Sequence, residues 1–330
     1  MKKIFLYNLI TVVIILFLSE IFFKYILKVN HQGVSHHIVN TNLAGYKFNN
    51  KNLVKKKAFG RFVFTDENGF RISKDETKIS DQKNNIYFIG GSVTFGNGID
   101  EHKTFVGIVK KKLDKFNVIN ASVIGSNIKN NYFILKNKVD FNKVERIFIN
   151  FSIDDIENLV KSDENLVKKS NNQENLITKL KRIKFIYNIN HFMRSKSSTY
   201  VWIKGVFSNA EKNYYLNSLS AYSNKDNLIE MNNILDKFQS LNLKIKNKIV
   251  FLIIPYNFQT NKENCDEDDL PEKIIKEALE ARKFTFISFK NTFCLKKNSN
   301  KLFLQYDPAH LSLSGHNEVA QYLLMSHKID

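Results

Sequence analysis

Five short apolar runs constrain the fold most: Ile86–Ile89, Asn117–Ala121, Val144–Phe151, Lys248–Pro255 and Phe284–Phe289. Each suits a buried strand in length, and most end at glycine, serine or proline. Stretches with helical spacing lie between them. Thr104–Leu113 carries apolar residues at Phe105, Ile108, Val109 and Leu113, and Ile128–Leu135 continues in the same style. Leu270–Arg282 opens with Pro271 and Glu272, which suit a first helical turn. Strands alternating with helices predict a three-layer α/β/α domain with a parallel sheet. Reactive loops in such a sheet gather beyond the carboxyl ends of the strands, where Ser92, Gly125, Asp154, Pro255 and His310 fall.

The first run ends abruptly in Gly90-Gly91-Ser92. A break there turns the chain sharply and leaves Ser92 at the mouth of a helix, whose N–H groups favour negative charge developing beside the serine. Glycines beside a serine are also ordinary turn chemistry. A nucleophile therefore needs a partner, and one lies in Tyr306–His316, YDPAHLSLSGH. A general base must adjoin the serine, and a carboxylate fixes the tautomer of the imidazole; His310 and Asp307 supply that pair.

Together, Gly90-Gly91-Ser92 and Asp307-Pro308-Ala309-His310-Leu311, followed by Gly315-His316, resemble the blocks of the SGNH, or GDSL-like, hydrolase and acyltransferase superfamily. The resemblance implies a flavodoxin-like domain with Ser92, Asp307 and His310 as catalytic residues. It further implies an oxyanion hole from the Ser92 and Gly125 backbone N–H groups, and no metal or cofactor. The third block departs from the family. An asparagine donor is usual there, and this chain has Asp154-Asp155. An ionised carboxylate accepts hydrogen bonds and repels an oxyanion. Three readings stay open: Asp154 is protonated by its site, Ser152 or Asn150 donates instead, or the protein is weakly active or inactive. The implied activity is hydrolysis of an O-acyl ester, O-acetyl foremost, on a cell-envelope glycan. Acyl transfer to a polysaccharide or peptidoglycan hydroxyl and a catalytically degenerate glycan-binding or assembly role are the alternatives.

Ahead of these blocks, Ile4–Phe23 is almost unbroken in its apolar character. About twenty helical residues reach about 30 Å, enough to cross a bilayer core. No small-residue cleavage site follows, so residues 1–28 read as an uncleaved membrane anchor. Lys2 and Lys3 favour an internal N-terminus, Lys24 and Lys28 partly cancel that bias, and the family resemblance favours an outward-facing, periplasmic or extracellular domain. Residues 29–80 read as a polar linker followed by a hairpin. His31, His36 and His37 lack acidic or cysteine partners and read as linker residues. In the hairpin, Arg61–Phe64 is one arm, Asn68-Gly69 the turn, and Phe70-Arg71 the return. Arg71 reads as holding the hairpin to the domain, with an active-site role as the alternative. The catalytic domain then spans 81–330, with a helical insertion over about 157–243. Leu176–Ile186 and Ile229–Phe238 are its periodic stretches, and His191, Trp202, Tyr214, Tyr215 and Tyr222 lie between them. The insertion suits either a cap carrying substrate aromatics or an outer layer. Tyr256 and Asn257 are candidate pocket residues.

A formal charge of +18 raises nucleic-acid binding, but the lysines are scattered and form no arginine-rich stripe or reading helix. A broad lysine excess reads either as a composition bias of the source or as attraction to an anionic membrane or polymer surface. The partners expected are an acyl ester and the bilayer. Cys265 and Cys294 have no metal-ligand spacing; a disulfide and two separate thiols are both compatible with the sequence.

Overall fold

The structure, a computed structural model, describes residues 2–33, 37–76, 80–157, 159–160, 184–265 and 269–326. The chain begins with helix α1 (Lys2–Ile21), continued by a π-helical turn over Phe22–Ile26. That helix is long and apolar enough to cross a membrane, and none of its central side chains is buried in the protein.

The main sheet is built on β6 (Asn85–Ile89), whose neighbours β7 (Asn117–Asn120) and β8 (Val144–Asn150) both run parallel to it. Beyond β8 come β9 (Ile249–Ile253) and β10 (Thr285–Ser288), again parallel. Side chains of β6 alternate between two cores. Ile86 and Phe88 join Phe105, Val109, Val319 and Leu323 of α3 (Phe105–Lys112) and α11 (Leu313–Met325). Tyr87 and Ile89 join Leu135, Phe238 and Leu279 of α4 (Ile128–Lys138), α8 (Lys225–Lys244) and α9 (Leu270–Glu280). Both faces of the sheet are therefore covered, which is why its central strands read as continuous apolar runs. The expected three-layer α/β domain is what forms.

The parallel sheet is extended by antiparallel strands at one edge. Strand β5 (Arg71–Ile72) pairs with β7, then with β4 (Arg61–Thr65), which pairs with β3 (Lys56–Ala58). The Asn68-Gly69 hairpin turn forms where the sequence places it, with Gly69 at φ +82°. The stretch expected as a polar linker is packed. It carries the hairpin β1 (Val39–Thr41)–β2 (Lys47–Asn49), and Ile38 and Leu53 are buried.

Within the expected insertion, α5 (Lys184–Lys196), α6 (Ser198–Phe207) and α7 (Ala210–Ala221) precede α8. Leu176, Ile177, Leu180 and Ile183 lie outside the described residues. Helix α8 is the crossover helix between β8 and β9, since Met231, Ile234, Leu235 and Phe238 are all buried in the core; it is no cap. Cys265 and Cys294 are disulfide-bonded. The Cys265–Cys294 loop carries α9 and β10.

Candidate active site

Ser92 opens α2 (Ser92–Phe95), a single turn immediately beyond β6. The turn is crowded: a Cβ at Gly90 would stand 2.6 Å from Thr94 Oγ1 and 3.0 Å from Asn150 Cβ. It ends at Gly96, φ +82°, where a Cβ would meet Thr104 Cγ2 at 2.3 Å. Arg71 holds this end. Its buried guanidinium stacks on Phe95 and donates to the carbonyls of Phe95, Gly96 (2.8 Å) and Ile99 (2.6 Å). Arg71 therefore braces the serine turn from beneath, and its atoms do not line the cavity at Ser92.

The loop after α10 (Lys290–Cys294) brings in the partners. His310 Nε2 lies 2.8 Å from Ser92 Oγ. His310 Nδ1 lies 2.8 and 2.9 Å from the two carboxylate oxygens of Asp307. The same carboxylate accepts from the backbone N–H groups of Ala309 and His310, so it is fixed before any reaction begins. Burial pushes the Asp307 carboxyl up, but the charge and hydrogen bonds of His310 outweigh it and hold it below the ordinary carboxylate value. Phe59 packs edge-on against the imidazole, ring centroids 4.7 Å apart.

His316 belongs to the frame of this site. It is fully buried, and its Nδ1 accepts from the Phe105 N–H at 3.1 Å at the start of α3. Burial, then the charges of Arg71 and His310, push the imidazole down to about 3, so it is neutral. Gly315 beside it is needed for close packing, because a Cβ there would fall 2.1 Å from the Leu302 carbonyl oxygen.

Ser92 shares a small cavity with Gly125, Ser126, Ser152, Asp154, Tyr214, Tyr256 and Ala309. Gly125 has φ +72°, and Lys47 Nζ fixes its carbonyl at 2.6 Å. Asp154 lies at this wall, and its carboxylate accepts from Tyr214 Oη at 3.0 Å. The Tyr256 hydroxyl is buried beside Asp154 and has no partner of hydrogen-bond geometry among the described residues. Burial, then the Asp154 charge, raise both phenols, so both remain proton donors at neutral pH. Of the two alternative donors, Asn150 is fully buried and commits its amide to Ser152 Oγ at 3.1 Å. Ser152 accepts that bond and keeps its own proton. Asp155 also lines this cavity; it is buried, and the Ser152 N–H and the Asn131 amide donate to its carboxylate, while burial and the neighbouring Asp154 raise its carboxyl well above the ordinary range.

A second cavity, about 210 Å³, is lined by Asp307 and His310 and shares Tyr214 and Ala309 with the first. Gln32, Phe59, Arg194, Val201, Lys204 and Tyr306 are among its walls. Gln32 donates to the Tyr306 carbonyl at 2.8 Å and accepts from Arg194 at 2.9 Å. Gly205 lets the Tyr306 ring approach α6, since a Cβ would stand 2.4 Å from it. Neither Arg194, Lys204 nor Phe59 carried any mark in the sequence. A larger depression of about 610 Å³, between the hairpin and β7, contains neither Ser92 nor His310.

No protein-family model matches the chain, and no curated protein matches it by sequence. Among solved structures it is similar to a lipase/acylhydrolase from Enterococcus faecalis, with TM-score 0.41 and 13% identity over 74% of this chain and 95% of that one. It is also similar to a member of the lipolytic G-D-S-L family from Veillonella parvula, with TM-score 0.39 and 11% identity over 74% of this chain and 97% of the other. An acetylxylan esterase from Geobacillus stearothermophilus matches with TM-score 0.40 and 15% identity, covering 74% and 94%.

Proposed function

We propose that the protein is a serine-dependent esterase of SGNH type that removes an O-acyl group, O-acetyl foremost, from a cell-envelope glycan outside the membrane that α1 enters. The observation that carries this reading is the unbroken hydrogen-bonded chain Ser92–His310–Asp307. His310 Nε2 takes the Ser92 proton as Oγ attacks the acyl carbonyl, while Asp307 holds the Nδ1–H tautomer and stabilises the imidazolium. The Ser92 N–H, at the first position of a helix and without an intrahelical partner, and the Gly125 N–H receive the oxyanion. The third donor is a hydroxyl, Ser152 or Tyr256, in place of the family's asparagine. His310 then returns the proton to the leaving sugar oxygen, and water, activated by the same imidazole, discharges the acyl-enzyme.

Support for a small acyl group comes from the tight space at Ser92. Support for an anionic glycan comes from Arg194 and Lys204 beside His310 and from the +18 formal charge. Transfer to a glycan hydroxyl uses the same acyl-enzyme and differs in the acceptor that the second cavity admits. A degenerate role is disfavoured because the base and its carboxylate are intact and aligned. The test is covalent labelling of the detergent-solubilised protein with a fluorophosphonate probe and a small acetate ester. Both signals should vanish in Ser92→Ala and His310→Ala proteins of unchanged melting temperature. Equal labelling in the variants would end the assignment.

A further inference from the structure

Helix α6 turns one side to the protein and leaves an apolar side uncovered. Val201, Gly205 and Ser208 line the cavity beside His310. On the opposite side Ile203, Val206 and Phe207 are exposed, Phe207 to 84%. Ile189 and Phe192, one turn apart on the adjoining α5, are exposed as well. Exposed aliphatic and aromatic side chains in this density mark a contact surface rather than scattered surface residues.

The same helix is fastened to the end of α1. The Glu20 carboxylate accepts from Ser197 Oγ (2.8 Å) and from the backbone N–H groups of Ser198 (2.8 Å) and Thr199 (3.1 Å), capping α6. Phe23 stacks on Trp202 with centroids 4.4 Å apart, and Ser198 Oγ donates to the Val29 carbonyl at 2.8 Å. The exposed faces of α5 and α6 therefore adjoin the apolar surface of α1 without an intervening hinge. Lys24, Lys28 and Lys196, all exposed, flank the junction with positive charge.

We propose that α5 and α6 lie in the interface of the same bilayer that α1 enters, with Ile203, Val206, Phe207, Ile189 and Phe192 among the acyl chains and the lysines among anionic headgroups. An amphipathic pair with aromatic and aliphatic residues on one side and lysines at its rim has the composition of an interfacial element. Because the inner side of α6 walls the cavity at His310, the site is held about one helix diameter, ~10 Å, from the membrane surface. The inference rests on the reading of α1 as membrane-spanning and is independent of the chemistry at Ser92.

The experiment uses full-length protein in vesicles of phosphatidylcholine and phosphatidylglycerol, with an environment-sensitive fluorophore on Phe207→Cys or Ile203→Cys. The native cysteines are paired with each other and do not compete for the label. A Val12→Cys label, eight residues and about 12 Å along α1 from Glu20, reports on the spanning helix. Lipids doxyl-labelled near the headgroup should quench the 207 and 203 labels by at least half, whereas deep doxyl lipids should quench the Val12 label. Quenching at 12 with none at 207 and 203 overturns the proposal. Labels at 207 and 203 shielded from aqueous iodide yet unquenched by lipid would overturn it in favour of a face between two copies. No quenching at any site removes the spanning helix and the proposal together. Fluorophosphonate labelling of Ser92 in the same vesicles is a separate readout, and its failure would leave the quenching result standing.

Discussion

If the protein is the proposed esterase, Asp154→Asn should make it faster. Asp154 stands at the cavity shared by Ser92 and Gly125, where negative charge would develop during attack. An asparagine keeps an oxygen to accept from Tyr214, which now lies 3.0 Å from the carboxylate. It also replaces a repelling charge with an N–H donor. A single oxyanion donor is worth roughly 3–4 kcal/mol in an otherwise complete hole. Here the Ser152 and Tyr256 hydroxyls already stand at the same wall, so only part of that is to be gained. The expected rise in kcat is therefore about tenfold to a hundredfold, or ~1.4–2.7 kcal/mol of transition-state stabilisation. Steady-state hydrolysis of 4-nitrophenyl acetate by detergent-solubilised protein measures it, with Ser92→Ala as the blank. An Asp154→Asn protein of normal melting temperature that is equally fast or slower would refute the reasoning. The carboxylate would then act through its charge, and the oxyanion would lie elsewhere.

His316 sets an acid limit on the fold. Unfolded, its imidazole takes a proton near pH 6.5, whereas folded it resists until about 3. The unfolded chain thus binds more protons in that window, and stability falls as pH drops through it, by at most on the order of 5 kcal/mol. His316→Asn, which offers an oxygen to the Phe105 N–H, should be less stable at pH 7.5 and show a flatter loss of denaturation midpoint between pH 6.5 and 3; parallel slopes would exclude this origin. Reducing the Cys265–Cys294 bond, whose partners are 29 residues apart, should cost about 3.5 kcal/mol by loop-closure entropy and lower the melting temperature by roughly 5 °C or more. An unchanged melting temperature after confirmed reduction would show that the loop is held without it.

The central strands were legible because parallel strands buried on both faces must be apolar throughout, as Ile86–Ile89 and Ile249–Ile253 are. Asp307 and His310 were legible because a single loop turn holds both. The hairpin announced itself through Asn68-Gly69, but its attachment did not. Strand β5 meets β7 through one register pair, Arg71 with Asn120, and no local period encodes which edge a short strand will join. The same holds for the far walls of the site. Tyr214 reaches Asp154 across 60 residues, and Glu20 caps a helix 177 residues away. Such pairings follow from where an insertion folds back, and spacing along the chain carries no record of them.

The segment that leaves α1 also walls the site, and that limits the molecule's reach. Gln32 bonds to Tyr306, the Phe59 N–H donates to the Gly33 carbonyl, and the Phe59 ring rests on His310. A flexible stalk of about 25 residues would let a tethered domain wander roughly 25–30 Å from its root. Among the described residues of that stretch, Val29, Ile38, Asn49 and Leu53 are buried, so most of its length is taken up in packing. On the proposed reading, Ser92 would then sweep a thin slab at constant height, and a glycan would have to enter that slab to be deacylated. Lateral diffusion of the whole molecule in the bilayer, and not the swing of an arm, would on that reading decide how many acyl groups one copy can visit.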